Sequence, residues 1–216
     1  MNKAALFFLV LLAASCGGQK DSSSDCGSTT ETCLFNGREG VFDDEGALPN
    51  EASTFDTNLL LVNFSANDQD KIAEAAELIK KVVASEEFRE GILNHTFEGK
   101  KTFVDNGGLS NSQIYHRFLK GAERLSPTQN NTIDVELELY FEASTVVGYT
   151  IPSSRRIWMN TKYFNNYSTA QVAGNLTHEW MHKLGFGHSA TSTPSRPYSV
   201  PYAVGYLMTR LAKKHL

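Results

Sequence analysis

Apolar positions recur along this chain with two periods, and the periods mark out its elements. Leu59-Leu60-Leu61-Val62-Asn63-Phe64 is a short apolar run of strand length. Beyond it Ile72, Ala75, Ala76, Ile79, Val82 and Val83 repeat at intervals of three and four, which predicts a helix over 68–84 with one apolar face. Asp68 and Asp70 at its start, with Lys80 and Lys81 at its end, suit the helix dipole. Ser110 to Gln113 has capping-box form, so a second helix should begin after Leu109, with Ile114, Phe118 and Ala122 along one side. In Ile133–Phe141 apolar and acidic residues alternate, as in a strand with one buried and one wet face. Val146–Ile151 is a further extended piece, and after a turn at Pro152 the residues Arg156–Asn160 read as another strand. A second capping box, Ser168 to Gln171, opens a helix over 169–184 that sends Val172, Leu176, Trp180 and Leu184 inward. Gly185 suits the left-handed position that ends a helix. Pro201 starts a last helix with Val204, Leu207, Met208 and Leu211 on its apolar side.

The N-terminal quarter follows neither period. Lys3 and the apolar run from Ala4 to Ala14 form an export leader too short to span a bilayer comfortably. The run ends Leu12-Ala13-Ala14-Ser15-Cys16, which resembles a bacterial lipobox, although Ala13 stands where a leucine is usual. Residues 1–15 are therefore expected to be a signal peptide and Cys16 the lipidated first mature residue. Gly17, and not an aspartate, follows Cys16, which favours the outer membrane of a Gram-negative envelope. Residues 16–55 are rich in Ser, Asp, Gly, Thr and Glu and read as a tether or a short pro-segment. The folded domain is expected over 56–216. Export places Cys26 and Cys33 in an oxidising compartment, where they can form a local disulfide. Alternatively, one thiolate occupies the metal position described next and holds the protein latent.

The chain has 216 residues, of which 41% are hydrophobic and 20% charged, enough for one well-buried core. A net charge of -4 and the lack of a basic stripe argue against nucleic acid as a partner. The chemistry is concentrated in His178-Glu-Trp-Met-His-Lys-Leu-Gly-Phe-Gly-His188, which holds three of the six histidines. On a helix His178 and His182 lie one turn apart on one face, the spacing of two nitrogen ligands on tetrahedral zinc. Gly185 lets the chain turn and bring His188 back as a third ligand, leaving the fourth position open, as in a catalytic site. Glu179, one position round the helix, is poorly placed to be a ligand and well placed to act as a base on water at the open position. His95, His116 and His215 have no such context.

Together His178, Glu179, His182, Gly185 and His188 resemble the signature of the metzincin zinc peptidases, H-E-x-x-H-x-x-G-x-x-H. The resemblance implies an α+β domain with a small mixed sheet, a backing helix, an active-site helix and a C-terminal helix. It also implies an edge strand before the active-site helix that pairs with substrate, with Arg156–Asn160 as its counterpart. The implied activity is zinc-dependent endopeptidase cleavage of a peptide or protein substrate by a monomer. Glu179 would be general base to the attacking water and then proton donor to the leaving amine. The family's methionine-bearing turn is missing: Met208 falls inside the last helix, and Tyr198-Ser-Val-Pro-Tyr202 stands where the turn is expected. Tyr198 or Tyr202 then either reaches the metal or the oxyanion, or simply packs. A zinc-binding envelope lipoprotein without turnover is the alternative. A lipoprotein whose histidines bind nothing is a third reading.

Overall fold

The structure is a computed structural model and describes residues 50–216. Cys16, Cys26, Cys33, the leader and most of the tether lie outside the described residues. The fold takes in the last residues assigned to the tether. A short helix α1 (Asn50–Ser53) precedes the first strand, and Ala52 and Phe55 are buried. The Phe55 ring stacks on Phe118 at 5.3 Å and meets Trp180 edge-on at 5.7 Å.

The architecture is mixed α+β, with seven α-helices and a small mixed sheet among the described residues. Strand β1 (Asp56–Val62) is followed by helices α2 (Ala66–Val83) and α3 (Glu86–Leu93). A two-stranded hairpin, β2 (Thr96–Phe97) and β3 (Lys100–Lys101), then leads to α4 (Asn111–Lys120). Next come β4 (Thr132–Tyr140), β5 (Gly148–Thr150), β6 (Arg156–Asn160) and the short α5 (Thr161–Phe164). Helices α6 (Thr169–Lys183) and α7 (Val200–Ala212) complete the fold. None of the described helices is long and apolar enough to cross a membrane.

Local chemistry explains most boundaries. The Ser110/Gln113 and Ser168/Gln171 capping boxes both form, and a third, Ser65/Asp68, starts α2 two residues earlier than its apolar repeat suggests. All six residues of that repeat are buried. Helix α4 stops at Gly121, held at φ 63° with no room for a Cβ against the Thr132 backbone, so Ala122 lies beyond the helix. Helix α3 lies in a stretch with no predicted element; Ser85 caps it and Phe88 and Ile92 anchor it in the core.

The main sheet runs β1-β4-β6-β5, with β1, β4 and β6 parallel and β5 antiparallel at one edge. Alternation in β4 buries Ile133, Val135, Leu137 and Leu139 and leaves Asp134, Glu136 and Glu138 on the other face. This order corrects one expectation. Arg156–Asn160 is not an edge strand: β6 is hydrogen-bonded to β4 on one side and β5 on the other, and Ile157, Met159 and Asn160 are buried. The edge belongs to β5, which the sequence marks only as an extended piece.

Candidate metal centre

The active features sit on α6 and on the chain that leaves it. Helix α6 ends in a Schellman motif. Gly185 has φ 98° and its N–H donates to the His182 carbonyl at 3.0 Å, while Phe186 N–H donates to the Met181 carbonyl at 3.1 Å. Met181 and Phe186, the apolar pair that accompanies this motif, are both buried. The turn sends His188 back towards the helix.

The three imidazoles converge. Ring centroids of His178 and His182 are 5.1 Å apart, those of His178 and His188 5.2 Å, and those of His182 and His188 4.8 Å. One nitrogen from each ring lies within 4.8 Å of the others, a group that can hold a metal ion. Backbone carbonyls orient the rings. His182 Nδ1 is 2.8 Å from Phe186 O, and His188 Nδ1 is 3.0 Å from Ser189 O. The Pro201 backbone acts on His178 as a neighbouring acceptor that favours the protonated ring. Donation to a carbonyl puts the proton on Nδ1 and turns the Nε2 lone pair inward. Nε2 of His178 and of His188 face each other at 3.3 Å. Burial, aided by the neighbouring imidazoles, drops His178 to about 3, and burial also holds His182 below its usual range. Neutral rings with converging lone pairs are what a cation requires.

Glu179 is 4% exposed. Burial pushes its carboxyl up to about 8, with the Lys183 ammonium acting in the opposite sense. Lys183, one turn on, is itself buried, and this lowers its pKa to about 8. Its Nζ donates to Ser154 O at 2.6 Å and Ile151 O at 3.3 Å, which ties α6 to the β5–β6 turn. At the other end of β5, Gly148 allows close approach: a Cβ there would lie 2.9 Å from Trp158 O and 3.4 Å from Glu179 Oε1. Buried Asn160 secures the chain entering β5, donating to Glu142 O and Val146 O and accepting from Glu142 N–H and Lys162 N–H. The histidines, Glu179 and β5 share the wall of one cleft of about 950 Å³.

The last helix supplies the remaining wall. Of the two tyrosines in the turn, Tyr202 is at the site, its ring 4.5 Å from that of His178 and 4.7 Å from that of His188. Tyr198 packs on the β2–β3 hairpin, 5.1 Å from Phe97. Met208 is fully buried inside α7. His95 stacks on Phe103 at 4.0 Å, His116 bonds the Ser112 carbonyl, and His215 lies past α7; none joins the cluster. Sequence reasoning missed Lys183, Asn160 and Glu123. Glu123 is a buried carboxylate behind α6 that accepts from Trp180 Nε1 at 2.7 Å and Asp134 N–H at 2.9 Å. Only Lys183 carried a signal, being charged and four residues after Glu179 on a helix face directed inward.

No protein-family model matches the chain, and no curated protein matches it. The geometry therefore carries the functional argument by itself.

Proposed function

We propose that the chain is a zinc-dependent endopeptidase of metzincin type, an exported monomer lipid-anchored at the cell envelope through Cys16. The observation that carries the reading is three converging imidazoles and a buried Glu179 carboxyl beside a sheet edge that is antiparallel and unpaired among the described residues. Zinc suits the donor set. Two nitrogens bound at tetrahedral zinc stand roughly 3.3 Å apart, the separation of His178 Nε2 and His188 Nε2 being 3.3 Å. Held by His178, His182 and His188, zinc supplies Lewis acidity, which lowers the pKa of water and polarises a carbonyl.

The chain's own residues do the rest. The outer edge of β5 offers the backbone groups of Gly148–Thr150 to an extended peptide, which would pair there as an added strand. Glu179, beside Gly148, accepts the proton of the attacking water and delivers it to the leaving amine. Its burial favours the neutral acid, and a cation held by the three histidines would favour the carboxylate that a base requires. Lys183 and Asn160 hold the two ends of the hairpin that carries β5.

The test is metal content and chelator-sensitive cleavage of a mixed peptide library by the purified protein. Glu179→Gln should keep its zinc and lose roughly 10²–10⁴ in kcat. Cleavage that survives this substitution refutes the assigned role. Bound zinc with no turnover of any peptide would leave the non-catalytic zinc-binding lipoprotein as the answer. Cys16→Ser should release the protein from membranes.

A further inference from the structure

Arg196 has no part in the chemistry above, yet it stands one aromatic ring from the histidines. Its guanidinium lies over the Tyr202 ring, 4.8 Å from the centroid, and that ring contacts His178 and His188. It lines the same cleft. The turn that carries it is firmly held. Its N–H donates to Thr193 O and Thr193 Oγ1, its carbonyl accepts from Ser199 N–H and Ser199 Oγ, and Pro197 follows. The backbone from which the side chain springs is therefore fixed, and the guanidinium rests on the Tyr202 ring.

Among the described residues, the Tyr202 ring is the contact its charge makes, and no anion answers it. Arg196 Nε is buried with no hydrogen-bond partner. Among the described residues no carboxylate is within ion-pair distance of Arg196. The cleft wall has four Lys or Arg side chains, Arg124, Arg155, Lys183 and Arg196, against three carboxylates, Glu123, Asp134 and Glu179. Two of the three are engaged elsewhere, Glu123 by Trp180 and the Asp134 N–H, and Asp134 by Asn58 and Asn130. The third, Glu179, is the base of the proposed reaction. A guanidinium carries a planar fork of N–H donors that matches the two oxygens of a carboxylate.

We propose that Arg196 is the specificity-determining residue of the cleft and binds a substrate carboxylate, so that preferred peptides carry an acidic side chain or a free C-terminus close to the scissile bond. The proposal rests on the peptidase reading for the nature of the substrate. The carboxylate has two possible sources, and the assay separates them.

One neutral peptide is made in three forms: amidated with Asp placed at each position in turn, unsubstituted with a free C-terminus, and unsubstituted and amidated. Each is followed in two ways on the zinc-loaded full chain. Turnover is measured as kcat/KM for the wild type, Arg196→Met and Arg196→Lys. Binding is measured by calorimetry in the Glu179→Gln background, with and without Arg196→Met. The wild type should favour one carboxylate form over the neutral amide by roughly ten- to a hundredfold, the worth of a charged hydrogen-bonded pair. The favoured form identifies the source. The ratio should fall close to one in Arg196→Met, which keeps apolar packing on Tyr202, and recover in part in Arg196→Lys. Equal handling of all three forms by the wild type, or a preference that survives Arg196→Met, overturns the proposal. If no peptide is cleaved but an acidic one binds in an Arg196-dependent way, the peptidase reading fails and the carboxylate site stands. If the neutral amide is cleaved as well as the others, the reverse holds.

Discussion

Behind the histidine cluster, α6 and α7 cross closely at Gly174 and Gly205. A Cβ on Gly205 would lie 2.9 Å from Gly174 O and 3.0 Å from His178 Cβ. Neither neighbour is a flexible side-chain end, so the helices would have to move apart. Two effects oppose each other in Gly205→Ala. Helix propensity alone favours alanine by about 1 kcal/mol. Overpacking a filled interface costs about 1–3 kcal/mol. Packing should win, because the clash is with helix backbone, leaving a net loss of up to about 2 kcal/mol. For a domain of this size that lowers Tm by up to about 8 °C. The same displacement moves His178 relative to Pro201 and Tyr202, its ring partners, and should weaken zinc binding about ten- to a hundredfold. Thermal melts of the metal-free protein give the first quantity, and competition with a chromophoric chelator the second. Gly187→Ala, where a Cβ meets nothing within 4 Å, is the control and should change little. A Gly205→Ala protein that melts at or above the wild-type temperature would refute the packing argument, since propensity would then have outweighed contact.

Three further outcomes are expected. Saturating zinc at a hundred times its dissociation constant should stabilise the chain by about 2.7 kcal/mol in melts run with and without chelator, and His182→Ala should abolish the shift. Burial holds the Glu123 carboxyl above its usual range, so the folded chain retains a proton that the unfolded chain gives up near pH ~4.3. Stability from this group is thus complete below that pH and is lost as pH rises through the folded value. Glu123→Gln should match the wild type in acid and gain on it towards neutral pH in denaturant titrations, whereas an identical pH slope in the two proteins would contradict the assignment. Lys183→Met removes the donor to Ile151 O and Ser154 O, so amide exchange should quicken over residues 148–156 while α6 keeps its protection. Unchanged exchange there would show that the ammonium does not secure the hairpin.

What the sequence determined by itself is local. The serines that cap α4 and α6, the repeat that buries one side of α2, and the Gly185 stop all act between residues a few positions apart. The same holds for the histidine cluster: His178 and His182 share a helix face by period alone, and a glycine-led turn returns His188, six residues after His182. A reader of the eleven-residue motif therefore has the three converging histidines and Glu179 without the fold. Strand order is different. Whether β5 or β6 forms the edge depends on which strand β4 accepts as neighbour, a pairing between residues about twenty apart, and β1 meets β4 across more than seventy. Short apolar runs carry no label for such partners. The choice of Tyr202 over Tyr198, the burial of Glu123 behind Trp180 and the unanswered charge of Arg196 follow from how α7 and the β2–β3 hairpin pack against the rest. Those contacts exist only once distant segments meet, because burial and the absence of a counter-charge are properties of the assembled surface and not of any stretch of chain.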